Sequence, residues 1–156
     1  MATEEKDITL KTDWGMFNFR TAYIAFSQGR VLLEKSSDGY WFVPGGRVAF
    51  GEDTKTSLIR EVAEELSFDV KNPQMAGFLE NFFTLNGKPY HEISTYYTVE
   101  VPKDFTPPTE EANGDTIHLE WHQVESLPEL DMHPSILKDK ISGLIQDAFS
   151  HYIQRD

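Results

Sequence analysis

The sequence predicts an α/β fold in which a mixed β-sheet lies between helices. Two observations support this prediction. Several segments are rich in β-branched and aromatic residues, whereas two others show the three-to-four-residue apolar spacing of an amphipathic helix. The elements follow one another as strands, helix, strands and helix, without a repeat or a linker. At 156 residues, the chain 1–156 is expected to form one domain, an α/β/α sandwich.

The first part of the chain predicts strands. Residues 1–16 are polar with scattered apolar positions, and we expect an edge strand or a loose arm there. Residues 19–26 and 30–36 flank a Gln-Gly pair, and this arrangement predicts a hairpin. Residues 40–44 predict a short strand that ends at a proline.

The second half of the chain predicts more strands and a closing helix. Residues 76–85 and 91–101 predict two long strands joined by a turn that contains an Asn-Gly pair. Residues 102–115 are rich in proline and acidic side chains, as in loops that are functional or mobile. Residues 118–124 predict a short strand, and residues 131–150 predict an amphipathic helix with a proline in its first turn.

The first helix follows a Gly-rich turn and carries a cluster of carboxylates. Glu61, Glu64 and Glu65 are spaced i, i+3 and i+4, so they share one helical face. The opposite face is expected to be apolar, with Leu58, Ile59, Val62, Ala63 and Leu66. Like charges at this spacing destabilise a helix by about 0.2–0.5 kcal/mol per pair, and a bound cation would offset that cost. Carboxylate oxygens are hard ligands that suit Mg²⁺ or Mn²⁺, although an acidic face can also be simply solvated.

The residues around this helix resemble the Nudix box, G-x5-E-x7-R-E-U-x-E-E-x-G-U, in which U is a bulky aliphatic residue. The matching positions are Gly46, Glu52, Arg60, Glu61, Val62, Glu64 and Glu65. The chain departs from the box at Ser67, where the box has glycine, and at Phe68. A helix often ends on a left-handed glycine, so Ser67 should cost about 1 kcal/mol without affecting the chemistry.

The resemblance to MutT-like Nudix hydrolases implies a fold, an activity and a set of metal ligands. The implied activity is hydrolysis of a phosphoanhydride in a nucleoside diphosphate linked to another group X, with water attacking phosphorus. Nucleoside triphosphates and ADP-ribose-like nucleotides are both open as substrates. The implied cofactor is Mg²⁺, for which Mn²⁺ can substitute. Glu61 and Glu65 are the first expected ligands, followed by Glu64 and the backbone carbonyl of Gly45. Glu52 is expected to bind metal through water or to orient a ligand.

The resemblance also implies catalytic residues beyond the metal ligands. Arg60 is expected to pair with the box carboxylates and hold their rotamers. Glu61 and Glu64 are counted with it in the catalytic group. The general base is open: Glu110 and Glu111 in the Pro-rich loop are candidates, and Glu92 is the rival.

Two further residues have alternative interpretations as substrate contacts. Arg20 either contacts phosphate or is a charge at a strand end. Trp41 either packs in the core or stacks on a nucleobase. Glu92 is counted with them as a candidate substrate contact.

Composition excludes several function classes. The net charge of −12 argues against binding a nucleic acid polymer, because that binding relies on Lys and Arg. It is compatible with a small phosphorylated nucleotide if a cation lies between the two. No apolar run approaches the roughly 18 residues of a membrane span, and the start of the chain does not resemble a signal peptide, so we expect a cytoplasmic location.

The absence of cysteine excludes disulfides and thiolate chemistry. A homodimer is the assembly that the resemblance implies. The alternative function is a nucleotide-binding sensor that uses the same fold without turnover. The retained box carboxylates and the absence of a DNA-binding extension favour the hydrolase.

Overall fold

In residues 6–146 and 149–156, which the computed structural model describes, nine strands form one mixed sheet. The strands are β1 (Thr9–Thr12), β2 (Gly15–Ser27), β3 (Arg30–Lys35), β4 (Trp41–Phe42), β5 (Gly45–Arg47), β6 (Gln74–Leu85), β7 (Lys88–Glu100), β8 (Leu119–Gln123) and β9 (Ser150–Arg155). The α-helices are α1 (Thr54–Leu66) and α2 (Ile141–Ile145), and two 3₁₀ helices span Val124–Glu129 and Ser135–Asp139. None of these helices is long and apolar enough to cross a bilayer.

The sheet has the spatial order β4-β3-β2-β7-β6-β9. The central β2–β7 pair and the outer β6–β9 pair are parallel, and the other pairs are antiparallel. β1 and β5 also pair with β2, and β8 pairs with β3. The sheet is therefore mixed, as the sequence predicts, and the N-terminal arm adds a strand to it. Residues 1–5 of that arm lie outside the described residues.

Apolar side chains cover both faces of the sheet. On one face, Leu58, Val62 and Leu66 of α1 pack against Tyr23 and Tyr97. The other face is covered by the segment that follows β8, which packs against the central strands. Its buried residues are Leu127, Met132, Leu137, Ile141 and Leu144. Two layers of helical structure thus enclose the sheet, which confirms the predicted α/β fold.

The prediction of one closing helix over residues 131–150 is wrong. The chain instead forms the 3₁₀ helix Ser135–Asp139, the short α2 and then β9. Of the apolar residues expected on the buried side of that helix, Leu137, Ile141 and Leu144 are buried, but Phe149 is 59% exposed. The apolar pattern therefore identified part of the core and not the conformation. Pairing β9 with β6 satisfies backbone groups that would otherwise form an open sheet edge, and this gain outweighs local helix propensity. Residues 147–148 lie outside the described residues.

Candidate active site

A cleft opens where β2 and β3 separate. These strands pair only near their hairpin turn, at Phe26–Val31 and Ser27–Arg30. Farther from this turn, at residues 20–22 of β2, β5 pairs with β2 in place of β3. The resulting cavity has a volume of about 220 Å³. Its lining consists of Asp7, Arg20, Glu34, Phe42, Gly45, Gly46, Arg47, Glu65 and Glu92.

Two glycines let the backbone of β5 pass close to its neighbours. A Cβ at Gly45 would collide with the carbonyl oxygen of Thr21, and a Cβ at Gly46 would collide with the carboxylate of Glu61. At Gly45 only a residue without a side chain fits, because the colliding atoms belong to the backbone, whereas a side chain at Gly46 would displace the Glu61 carboxylate. The glycine that begins the box is therefore required so that the Glu61 carboxylate can lie against the backbone.

The expected separation of α1 into an acidic face and a core face is wrong. Glu61 is 0% exposed and Glu65 is 3% exposed, and both lie in the same buried stripe as the apolar residues of α1. Ala63, which was expected in the core, is exposed. The helix is rotated so that its buried stripe reaches the polar cleft, where the glycine backbone of β5 leaves room for carboxylates. Glu64 lies at the margin, with 33% of its side chain exposed.

Arg60 links the carboxylates of the box, as expected from the resemblance. Its guanidinium donates from Nε to Glu52 Oε2 at 3.0 Å and from Nη2 to Glu52 Oε1 at 2.8 Å. Nη1 donates to Glu61 Oε1 at 2.9 Å, and a longer contact of 3.5 Å reaches Glu64. Both oxygens of Glu52 are therefore engaged by Arg60, and this placement favours an orienting role for Glu52 over direct metal ligation. The same bonds hold the pKa of Glu52 below its ordinary value.

The buried carboxylates of the cleft favour their neutral forms in the absence of a cation. Burial raises the pKa of Glu61 to about 7, although Arg60 opposes the shift. Burial raises the pKa of Glu65 well above its ordinary value, and the charges of Glu34 and Glu61 raise it further. The hydroxyl of Tyr23 neighbours this carboxylate, and burial raises the pKa of that hydroxyl well above its ordinary value. A negative charge on any of these groups would lie where water cannot stabilise it, and the neutral form is therefore favoured.

The donor set fits a hard divalent cation. Glu61 Oε2 and Glu65 Oε1 are buried and accept no hydrogen bond. Unpartnered buried carboxylate oxygens are costly, and a metal ion is a natural partner for them. In the described parts of the chain, no three His, Asp or Glu side chains converge closely enough to enclose an ion as they stand. An ion held by Glu61 and Glu65 would therefore need further ligands from backbone carbonyls, water or rotated side chains.

The Pro-rich loop places one of the two candidate bases near the box helix. The Ala112 N–H donates to the carbonyl of Glu64 at 2.8 Å, and this bond anchors the loop on α1. Glu111 is buried beside this anchor, and burial raises its pKa. Glu110 is exposed and pairs through its backbone with Thr116. The loop therefore holds Glu111 beside α1, outside the lining of the cleft, and leaves Glu110 exposed.

Two of the three predicted substrate contacts, Arg20 and Glu92, line the cleft, whereas Trp41 does not. Arg20 lines the cleft and donates from Nη2 to the carbonyl of Val43 at 2.7 Å. Glu92 also lines the cleft and accepts from Asn18 Nδ2 at 3.4 Å. Trp41 is absent from the lining and packs against the apolar core, with its ring 4.4 Å from that of His122.

Sequence reasoning missed Glu34. This residue of β3 lines the cleft near Glu65, and burial raises its pKa to about 7. A signal was present in the segment RVLLEK, because alternation places Glu34 on the same face of the strand as the buried Leu32. An acidic residue on an otherwise apolar face is the pattern that would have identified it.

Comparisons with known proteins show the family of the chain. The family model of the NUDIX domain matches residues 18–141. The chain is 31% identical over 104 residues to YvcI of Bacillus subtilis, an uncharacterized Nudix hydrolase, and the match covers 67% of this chain and 64% of YvcI. The chain is also 26% identical over 135 residues to YjhB of the same organism, which is provisionally named an ADP-ribose pyrophosphatase. This match covers 81% of this chain and 63% of YjhB.

A solved structure shows the same fold. The MutT protein of Bacillus halodurans superposes with a TM-score of 0.61 at 25% identity, over 87% of this chain and 90% of that protein. The match to the two Bacillus subtilis relatives spans less than two thirds of their own lengths. The family model covers most of the chain and includes the entire box helix and every residue that lines the cleft except Asp7. The chain belongs to the Nudix family.

Proposed function

We propose that the chain hydrolyses a phosphoanhydride bond in a nucleoside diphosphate linked to another group, with Mg²⁺ or Mn²⁺ as cofactor. The observation that supports this proposal most strongly is the pair of buried carboxylates, Glu61 and Glu65. Each has an unpartnered oxygen, and Glu61 lies against the Gly46 backbone at the edge of the cleft. A divalent cation bound there would stabilise negative charge on the phosphate oxygens and on the attacking water.

The residues around this pair have separate proposed roles. Glu61 and Glu65 hold the metal, with Glu64 and the carbonyl of Gly45 as further ligands. Arg60 fixes the rotamer of Glu61 through its 2.9 Å bond, and Glu52 fixes Arg60.

The general base and the phosphate contact are proposed from their positions. Glu111 and Glu92 are the two candidate bases, because Glu111 is buried beside α1 and Glu92 lines the cleft. Arg20 and Arg47 are the two arginines among the residues that line the described cleft, and we assign Arg20 to a substrate phosphate. Glu34 adds a carboxylate near Glu65, and its negative charge would favour binding of a cation there.

The substrate is proposed to be a small nucleotide. A net charge of −12 disfavours long polyanions, whereas a cation between the carboxylates and a short phosphate chain removes the repulsion. Similarity to YjhB places ADP-ribose first among the compounds to be tested. Oxidised nucleoside triphosphates are the second class. The homodimer and the cytoplasmic location stay predictions.

The test is release of phosphate, pyrophosphate or nucleoside monophosphate from a substrate panel, with Mg²⁺, with Mn²⁺ and with EDTA. The panel contains ADP-ribose, nucleotide sugars, dinucleoside polyphosphates and oxidised nucleoside triphosphates. The native chain is compared with Glu65→Gln, and Glu129→Gln is the matched control because Glu129 is exposed on a 3₁₀ helix far along the chain. We expect EDTA to abolish turnover and Glu65→Gln to reduce it at least about a hundredfold.

Two results would contradict the proposal. Turnover that survives Glu65→Gln would remove this carboxylate from the metal site. Tight binding of a nucleotide without turnover of any compound would instead indicate a sensor on the Nudix fold.

A further inference from the structure

A second and larger cavity lies at the end of the sheet where the β1–β2 and β6–β7 turns meet. Its volume is about 610 Å³, within the range of about 300–1,000 Å³ that is usual for small-molecule sites. We call it the aromatic groove and define it by Trp14, Phe17, Phe82, His91 and Arg155. None of its lining residues lines the catalytic cleft.

The floor of the aromatic groove is a row of side chains in strand register. Phe17 of β2 lies opposite His91 of β7, His91 lies opposite Phe82 of β6, and Phe82 lies opposite Arg155 of β9. The Phe17 and His91 rings are 5.5 Å apart edge to face, and the His91 and Phe82 rings are 4.4 Å apart. The Arg155 guanidinium lies 4.1 Å from the centre of the Phe82 ring. Four adjacent strands therefore present one continuous row of ring and guanidinium groups, in which the rings are tilted or edge to face.

This row lies on the opposite face of the β2–β7 pair from Glu92, which lines the cleft. Successive residues of a strand point to opposite faces of a sheet. Glu92, which lines the cleft, follows His91, and its partner Asn18 follows Phe17. The aromatic groove is therefore a separate site and not an extension of the cleft.

The β1–β2 turn holds Trp14 at the rim of the aromatic groove. The Thr12 hydroxyl accepts from the N–H groups of Trp14 and Gly15, at 3.1 Å each, and donates to the Gly15 carbonyl at 2.7 Å. Gly15 has a φ of 145° and packs so closely on Pro89 that a Cβ would collide with the Pro89 carbonyl oxygen. The indole is nonetheless 88% exposed. An ordered turn thus presents an unburied aromatic ring, as a stacking site requires.

The charge around the aromatic groove differs from that of the chain. The aromatic groove itself is lined by one cation and one acid, Arg155 and Asp156, and the adjoining cavity adds Lys11, Lys88 and Asp13. The side chains around the two cavities together therefore have a charge of +1, against −12 for the chain. The Asp156 carboxylate is engaged by the Gln154 amide at 2.8 Å. Among the described residues, the guanidinium of Arg155 makes no hydrogen bond or ion pair, so its N–H groups are open to an anion.

We propose that the aromatic groove binds a planar heteroaromatic ring joined to a phosphate, as in a mononucleotide. The ring stacks among Trp14, His91 and the guanidinium plane of Arg155, and the phosphate accepts from Arg155. Three cations are too few to follow a polynucleotide backbone, so the site suits a single nucleotide. This site is independent of the proposed hydrolysis.

The test is an NMR titration of the full chain with AMP in EDTA, with adenosine and inorganic phosphate as the separate halves of the ligand. We expect saturable shifts of the Trp14 indole N–H and of the groove backbone with AMP, weaker binding of adenosine and no shift with phosphate alone. Arg155→Ala should weaken AMP binding at least about tenfold, and Trp14→Ala should weaken it as well. The matched control is Arg30→Ala, because Arg30 also lies over a ring, 4.6 Å from that of Trp121, but outside the aromatic groove.

Three outcomes would overturn this inference. AMP shifts confined to the residues around Gly46 would assign binding to the cleft. No shift at all would leave the aromatic groove without this ligand. A dimer that Trp14→Ala converts to monomer, with no effect of AMP, would show that a second copy occupies the surface. Failure of the proposed hydrolysis is distinguishable, because a chain that cleaves no compound should still show the AMP shifts at Trp14.

Discussion

Replacing Glu61 by Gln removes a buried negative charge while preserving the shape of the side chain. Burial raises the pKa of Glu61 from its ordinary 4.5 to about 7. This difference corresponds to about 3 kcal/mol of folding free energy that the ionised carboxylate costs in the absence of metal. The amide oxygen of Gln can still accept from Arg60 Nη1, so that contact is largely retained. We therefore expect Glu61→Gln to stabilise the metal-free protein.

The pH dependence follows from the direction of this shift. The folded pKa of Glu61 lies above the unfolded one, so its contribution to stability is complete below pH 4.5 and is lost as the pH rises through about 7. The variant and the native chain should have nearly equal unfolding free energies near pH 5. Near pH 8 the variant should be more stable by about 3 kcal/mol.

Urea unfolding in EDTA at these two pH values measures the effect, and Glu129→Gln is the control because Glu129 is exposed. Saturating Mn²⁺ should reverse the order, because the native chain gains the free energy of metal binding and the variant loses most of it. Destabilisation by Glu61→Gln near pH 8 in EDTA would refute the reasoning. So would equal stabilisation of both chains by Mn²⁺.

Three further substitutions test the surroundings of this carboxylate. Arg60→Ala leaves the buried charge of Glu61 without its cation. It should lower the free energy of unfolding by about 2 kcal/mol near pH 8, and by less near pH 5. Equal losses of this free energy at both pH values, measured by urea unfolding, would contradict this expectation. Ser67→Gly should raise the thermal midpoint, with a gain of about 1 kcal/mol, because Ser67 has a φ of 52°; an unchanged or lower midpoint would show that the serine is not strained. Gly46→Ala should displace the Glu61 carboxylate and so weaken Mn²⁺ binding, measured by calorimetry, at least about tenfold. Gly143→Ala is the control, because a Cβ at Gly143 meets no atom within 4 Å and should leave the affinity unchanged. Equal affinities for the two variants would contradict the packing argument.

Local spacing predicted much of the site. The distances along the chain from Gly46 to Arg60 and Glu61 specify a turn, a helix and a carboxylate cluster, and all three are present. The left-handed conformation at Ser67 was also predictable, because it depends only on where the helix ends. These features depend on residues close in sequence.

Features that depend on distant parts of the chain were not predictable in this way. Ser150–Arg155 form a strand because they pair with β6, about seventy residues earlier in the chain. Glu34 joins the cleft because it lies in the part of β3 that has separated from β2. The orientation of Glu61 towards the sheet depends on the Gly46 backbone that it contacts, and helical periodicity alone did not distinguish this face from the solvated one.

The central claim is that Glu61 and Glu65 together hold a divalent cation. Anomalous scattering from crystals of the native chain soaked in Mn²⁺, compared with crystals of Glu65→Gln, tests it most directly. The account predicts a peak within about 2.5 Å of carboxylate oxygens of both residues, which is lost in the variant. A peak elsewhere on the chain, or one that persists at the same place in Glu65→Gln, would contradict it.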